Sequence, residues 1–351
     1  TGDKTRKLKK SGSGYFLTYN RNKRSIALDV KTSEGREVVL KLLSTADVFI
    51  ENFRPGAMDK LGFGHKELET INPQLIYCSA KGFLNGPYQH RTALDEVAQM
   101  MGGLAYMTGP PGQPLRAGSS VIDIMGGMFG VIAILAALQE RQKTEKGQKV
   151  TSSLYENVVY LMGQHMAQTA TTGEAPPPMS VRVSAWAVYD IFEAKNKEQI
   201  FIGVVSDSQW KSFCQSFGLV DFIEDKDMDI NSGRVEKRDI IIPKLQELFK
   251  TFTKKELMEK LDQTGLPFAP INKPEDLFDD PHLNESGGLL KIEIPDGGST
   301  KLPAMPIEMN DRRFDVHQQV PKVGEHSKEI LEEIGLSDNA IQSLFEKSIV
   351  S

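Results

Sequence analysis

Apolar positions in the first half of the chain come in short blocks whose spacing switches between two periods. Residues 24–30 place Ile26, Leu28 and Val30 at alternate positions and read as a strand. Thr32 and Ser33 then cap a helix over 34–44, with Val38, Val39, Leu42 and Leu43 forming one stripe. Residues 47–51 carry the continuous apolar run of a strand covered on both faces. Pro55 opens a short helix through Leu61, 65–71 is another, and 75–80 is a third strand. Strand, helix, strand, helices, strand, with returning connections, predicts a doubly wound parallel α/β domain. A buried helix follows over 92–106, then a sharp Gly/Pro turn, then the longest apolar run of the chain, 124–138. Because it is apolar all round, that run predicts a core helix. Residues 149–153 read as a strand and 154–172 as a long helix.

Gly-Glu-Ala-Pro-Pro-Pro at 173–178 is a stiff linker, and the pattern changes beyond it. Residues 185–192 and 199–204 form a hairpin, and 207–217 a helix holding Trp210 and Phe213 as core residues. Residues 237–261 are helical with a break near Phe252-Thr253. Residues 266–271 and 289–294 are strands, and 324–348 returns to helices with a cap at 335–338. The expected organisation is a large α/β domain over 1–175, a smaller α+β domain over 176–310, and C-terminal helices over 311–351 that return to the large domain.

Composition narrows the classes. The chain has 351 residues, with 39% hydrophobic and 25% charged, the profile of a globular protein. A net charge of −5 argues against nucleic acid as a partner. The apolar run is shorter than the ~18 residues of a membrane span and is broken by glycines, so no membrane is expected. Two cysteines, Cys78 and Cys214, make no disulfide framework. With no secretory signal, the expectation is a cytoplasmic protein, or a mitochondrial one if a targeting segment precedes Thr1. The basic, Gly/Ser-rich residues 1–14 read as a mobile arm or loop.

Candidate chemistry centres on Asp123. It is the one charge between Arg116 and Glu140, and it stands at the start of the apolar helix. There it can serve as a helix N-cap, as a reactive carboxylate, or as both, since helix starts favour anions. Arg54 and Lys81 fall at expected strand C-terminal ends, where α/β sheets bind ligands; each is a phosphate partner or a solvated loop cation. Walker and Gly-x-Gly-x-x-Gly fingerprints, a Gly-x-Ser-x-Gly elbow and zinc spacings are absent, and six histidines are scattered. Glu156 reads as a solvated helix-face acid.

An ordered set of segments resembles the family III CoA-transferases, the formyl-CoA and carnitine CoA-transferase group. The segments are Tyr-Asn-Arg-Asn-Lys-Arg-Ser-Ile-Ala-Leu-Asp-Val-Lys (19–31), Val-Phe-Ile-Glu-Asn-Phe-Arg-Pro-Gly-Ala-Met-Asp-Lys-Leu-Gly-Phe-Gly (48–64), Asn-Pro-Gln-Leu-Ile (72–76), Lys-Gly-Phe (81–83), 95–103, the Asp123 segment, and 143–150. The resemblance implies a Rossmann-like domain plus a small domain, forming a ring-like subunit in an interlocked homodimer. It implies Asp123 as the nucleophile in CoA transfer from an acyl-CoA to a free carboxylic acid. It places CoA contacts at Leu28, Asp29, Val30 and Lys31; at Asn52, Phe53 and Arg54; at Lys60; and at Thr92, Ala93, Leu94 and Asp95. No permanently bound cofactor is expected, CoA being substrate. The family's N-terminal strand and glutamine-bearing loop have no counterpart, so the large domain is expected without that unit. No glycine-rich loop occurs between 175 and 205. Leu94 stands where formyl-CoA transferases have Tyr, which favours an acid larger than oxalate, and where the related racemases have His, which disfavours racemisation. A same-scaffold isomerase and an inactive CoA-binding subunit are the alternatives.

Overall fold

In the computed structural model, which describes residues 2–182, 184–295 and 297–351, three parallel strands form the sheet on which the site is built. They are β1 (Val48–Glu51), β2 (Ile76–Lys81) and β3 (Lys149–Ser153), in the order β1-β2-β3. Register places Val48, Ile76, Cys78 and Val150 on one face and Phe49 and Tyr77 on the other. Helix α1 (Ser33–Thr45) and the short helices Ala57–Leu61 and His65–Ile71 cover the Tyr77 face through Leu43, Met58 and Leu68. Thr32 caps α1, accepting from the Gly35 N–H at 3.0 Å. A Cβ at Gly35 would lie 2.1 Å from the Asp29 carbonyl oxygen, so only glycine fits there.

The expected strand over 24–30 does not join this sheet. It runs beside the C-terminus instead, with a bridge between Leu28 and Val350 and the Asp29 N–H donating to the Ile349 carbonyl at 2.8 Å. Its alternating apolar residues Ile26 and Leu28 are covered by Leu331, Ile341 and Leu344. The expected N-terminal arm is likewise structured. Two 3₁₀ turns and a helix over Tyr15–Tyr19 follow Asp3, and Arg6 donates to the Pro321 carbonyl at 2.7 Å while its guanidinium lies over the Phe16 ring.

The helical block at 92–106 is two helices, α2 (Asp95–Met101) and Leu104–Thr108, because Gly103 takes φ +90° between them. Helix α3 (Val121–Thr144) holds the long apolar run, and α4 (Leu154–Thr172) follows β3 directly. The all-round core helix expected at α3 is not what forms. Ile122, Gly126, Gly130, Ile134 and Ala137 make a buried stripe, and Ile134 and Ala137 pack on Ile76 and Cys78. Met128, Val131, Ile132 and Leu135 face outward, Leu135 with 60% of its surface exposed. By length and composition α3 could cross a membrane, but its small-residue stripe is fitted to the sheet: a Cβ at Gly130 would sit 3.6 Å from Cys78 Sγ.

Contacts divide the chain into one unit running up to Arg182 and resuming over Gly288–Ser351, and a second unit ending at Gly287. Sequence patterning had set these boundaries at 175/176 and 310/311. In the second unit, the hairpin Tyr189–Glu193 and Gln199–Gly203 is joined by a third antiparallel strand, Phe268–Pro270. Phe192, Ile200, Trp210, Phe213 and Phe249 fill its core. The helix break near Phe252 arises from a capping box: Thr253 accepts from the Glu256 N–H while the Glu256 carboxylate accepts from the Thr253 N–H. The C-terminal segment contributes the hairpin Leu289–Glu293 and Ser299–Pro303 and the helices Ser327–Glu333 and Asp338–Glu346.

Candidate active site at the start of α3

Asp123 is the third residue of α3, not its cap; Ser120 occupies the cap position and makes no side-chain cap bond. The unpaired N–H groups of this helix start are met by a residue of another helix. Asp95, at the start of α2 and only 6% exposed, accepts from the Ile122 N–H at 2.9 Å and the Asp123 N–H at 3.2 Å through Oδ2. Its Oδ1 accepts from Gln99 Nε2 at 2.6 Å and pairs with Arg116 Nη2 at 3.2 Å. Gln99, fully buried, also accepts from the Ala117 N–H at 2.8 Å, which ties the turn before α3 to α2. The Asp123 carboxylate is thereby spared from capping and stays exposed. Its pKa is raised above the ordinary aspartate value, first by desolvation in the surrounding protein and then by the Asp95 charge, with Arg116 opposing.

The glycines after Asp123 divide by role. A Cβ on Gly126 would sit 3.3 Å from Leu154, so this glycine serves packing. Nothing lies within 4 Å of a Cβ on Gly127, one turn beyond Asp123, and that side is open. Ser152 at the end of β3 donates to the Gly126 carbonyl at 2.8 Å, which fixes the start of α3 at the C-terminal end of the sheet, where ligands of α/β sheets bind. Within the helix, the amides of Gly126 and Gly127 lie where the i→i−4 ladder uses them.

Two further carboxylates hold the neighbouring loops. Glu51, buried at the end of β1, accepts from Ser79 Oγ at 2.5 Å and from the Phe53 N–H at 2.9 Å, and pairs with Lys81 at 2.7 Å. Lys81 also donates to the Phe53 carbonyl at 2.7 Å. Lys81 is therefore committed to the 52–54 turn and is neither a solvated cation nor a free phosphate partner. Glu156 is no solvated helix-face acid either: it accepts from Ser153 Oγ at 2.5 Å and from the Leu84 N–H at 3.2 Å, and so ties the loop after β2 to the start of α4. The Ser-x-x-Glu spacing of 153–156 was a readable signal for the Ser153 contact.

Residues 1–327 match the family described as CoA-transferase family III. The chain belongs to that family. It is 33% identical to an acyl-CoA transferase of Fusarium pseudograminearum over 351 residues, covering 96% of this chain and 75% of the relative. It is 29% identical to the succinyl-CoA:glutarate CoA-transferase of Mus musculus, covering 96% and 78%. A solved CAIB/BAIF family protein from Brucella suis superposes with a TM-score of 0.79 at 34% identity, covering 93% of this chain and 86% of that one. The protein is thus a CoA-transferase.

In this CoA-transferase, the residues expected around CoA fall into three groups. Thr92, Ala93 and Leu94 lead into α2 directly before Asp95, and Leu94 is 66% exposed. A Cβ on Gly82 would come within 2.4 Å of the Ala93 side chain, so Gly82 lets this segment lie against the end of β2. Asn52, Phe53 and Arg54 form the exposed turn after β1, and Lys60 is exposed on the helix that follows. Arg54 lines a cleft of about 820 Å³ with His65, Lys66, His90 and Lys149. Of the group Leu28, Asp29, Val30 and Lys31, Leu28 and Asp29 line another cleft of about 630 Å³ with Arg6, Lys23 and Arg24, while Val30 packs on the core cluster that holds Met58. Asp95 stands behind Asp123 with its oxygens taken by protein donors. Sequence reasoning missed Gln99 and Arg116 as its partners. It also missed Tyr15, whose hydroxyl lies 3.1 Å from Ser120 Oγ at the start of α3.

Proposed function

We propose that this CoA-transferase works through covalent catalysis at Asp123. The Asp123 carboxylate attacks the donor thioester carbonyl, forming a mixed anhydride as the C–S bond breaks and CoA thiolate leaves. The thiolate attacks the aspartyl carbonyl, releasing the donor acid and leaving an aspartyl-CoA thioester. The acceptor carboxylate attacks that thioester, giving a second anhydride and CoA thiolate. Attack of the thiolate on the acceptor carbonyl yields the new acyl-CoA and regenerates Asp123. A carboxylate is a weak nucleophile in water, and removing solvent from it raises its reactivity. The observation that carries this reading is the capping of α3 by Asp95, which leaves Asp123 exposed and uncommitted.

The CoA contacts proposed are those at 28–31, 52–54, 60 and 92–94; the Asp95 side chain, expected to complete the last stretch, is buried and bonded to protein donors instead. The acceptor proposed is an acid larger than oxalate, supported by the exposed Leu94 and by the open side of Gly127. Leu94 carries no proton acceptor, which supports transfer over racemisation. The architecture proposed is a Rossmann-like domain and a small domain in a ring-like subunit, two of which interlock. Its support is the outward apolar stripe of α3, with Tyr160 and Met166 of α4 also exposed, an apolar surface suited to a second copy. Both cysteines are free and buried, which supports a reducing cytoplasmic location. The test is a screen of succinyl-CoA and acetyl-CoA against a panel of carboxylic acids, read by mass spectrometry, for wild type and Asp123→Ala. New acyl-CoA should form only with wild type. Deuterium incorporation at the α-carbon without an acceptor would favour the isomerase reading, and transfer by the variant would remove Asp123 from the mechanism.

A further inference from the structure

We infer that Asp95 is the positioning residue of the reaction, held by Gln99 and countered by Arg116, and that it fixes the first turn of α3 so that the Asp123 carboxylate is presented to the thioester. The inference rests on Asp123 being the nucleophile. A helix start leaves up to four N–H groups without partners, and a cap residue of the same helix ordinarily meets one of them. Here two consecutive amides, those of Ile122 and Asp123, bond to one oxygen 27 and 28 residues away in sequence. A carboxylate this deeply buried is costly unless it is fully bonded. Asp95 meets that condition with four donors: two backbone amides, the Gln99 amide and the Arg116 guanidinium. Rotation of the first turn would break two of these bonds, so the direction in which Asp123 leaves the helix is set from behind.

The same arrangement places charge where the chemistry needs it. Asp123 is anionic when free and neutral when acylated. A second carboxylate beside it disfavours the anion and so favours both attack and the acylated state. Arg116 moderates the effect. Asp95 and Arg116 are the charged groups whose influence on Asp123 is resolved, and they act in opposite directions. Arg116 is itself steered by donation from Nε to the Ala117 carbonyl at 3.2 Å.

The test uses the full-length enzyme with three variants: Asp95→Asn, Arg116→Gln and Asp123→Ala. D95N keeps the shape but loses the charge and one of the two acceptor oxygens. Its kcat should fall roughly 10- to 100-fold, the scale of a small misplacement of a reacting group, while KM for acyl-CoA changes by less than about twofold, since only reacting-centre geometry is altered. The acid limb of its kcat/KM profile should move to lower pH. In R116Q, where the opposing charge is lost, the limb should move to higher pH. A purely structural role would lower the melting temperature and leave both limbs in place. Carbon-13 titration of the Asp123 carboxyl reads the same two directions without any turnover. D95N with wild-type kcat and an unmoved limb overturns the proposal. If D95N does not fold, an unmoved or downward-moving limb in R116Q overturns it alone. Transfer retained by D123A is a different result: it removes the nucleophile and leaves the Asp123 titration to report on Asp95.

Discussion

Two helix starts in this protein face the same deficit of bonded amides and meet it in different ways. In the second unit, the helix Lys254–Asp262 is closed by its own neighbours: Thr253 and Glu256 bond each other's backbone, and the Glu256 carboxylate is used up in doing so. At α3 the first-turn acid, Asp123, makes no such bond, because Asp95 arrives from α2 to satisfy the amides. The local solution lowers the pKa of Glu256, chiefly through the Thr253 backbone hydrogen bond, whereas the remote one leaves Asp123 raised. An acid in a first turn is free for chemistry when something else does its capping.

The largest expected effect comes from removing the acid on each side of this comparison. Asp123→Asn should lower transfer by more than about 10³-fold, as loss of a covalent nucleophile does, whereas Glu256→Ala should leave kcat and KM unchanged. The comparison also predicts opposite stability signs. The folded pKa of Asp123 lies above its unfolded value, so the charged form costs stability once pH rises through that range, and D123N should raise the melting temperature slightly. E256A, losing a cap contact, should lower the denaturant midpoint slightly. A D123N that loses stability as E256A does, or an E256A that loses activity, would show that capping and reactivity are not separated in this way.

The next effect concerns the outer stripe of α3. If the proposed dimer forms through this stripe, Leu135→Lys should convert it to monomer in light scattering while the fold of the subunit survives, because Leu135 is exposed within the subunit. Ile134→Ala, one residue away on the buried stripe, should cost about 2–4 kcal/mol from a buried cavity and leave the oligomer intact. A dimer that tolerates L135K would put its interface elsewhere.

A third arm tests whether the loops at the strand ends are held as firmly as α3. Lys81→Met leaves Glu51 buried without its cation and should cost about 3 kcal/mol, the scale for breaking a buried pair. By loosening the 52–54 turn, it should raise KM for acyl-CoA more than it lowers kcat. A kcat effect alone would move Lys81 from loop support to the chemistry.

The smallest effect is a pH shift. With its pKa raised, Asp123 must still be ionised to attack, so the acid limb of kcat/KM should lie above that of an ordinary aspartate and activity should fall as pH drops through it.

What could be read in the sequence followed distance along the chain. The cap at Thr32, the helices His65–Ile71 and Asp207–Phe217, and the break at Thr253 are all written in neighbouring residues, and all stand where the pattern put them. The pairing of 24–30 with the C-terminus spans more than 300 residues, and nothing local distinguishes it from a sheet strand. The roles of Asp95, Glu51 and Glu156 were hidden for the same reason: each acid meets groups of another segment, Asp95 the Ile122 and Asp123 amides, Glu51 the Ser79 and Lys81 side chains, and Glu156 the Leu84 amide. Hydropathy marked α3 as apolar, but it could not say that one stripe would be left outside the subunit. The family resemblance placed Asp123 at the centre; only the geometry shows why Asp123 rather than Asp95 is left exposed.

The most direct measurement is to quench the enzyme during turnover with hydroxylamine, digest it, and map the modified peptide. The expected result is a hydroxamate on Asp123 in the peptide spanning the start of α3, present with acyl-CoA and absent in D123N. A hydroxamate on Asp95 or Glu156, or none under turnover, would contradict covalent catalysis at Asp123.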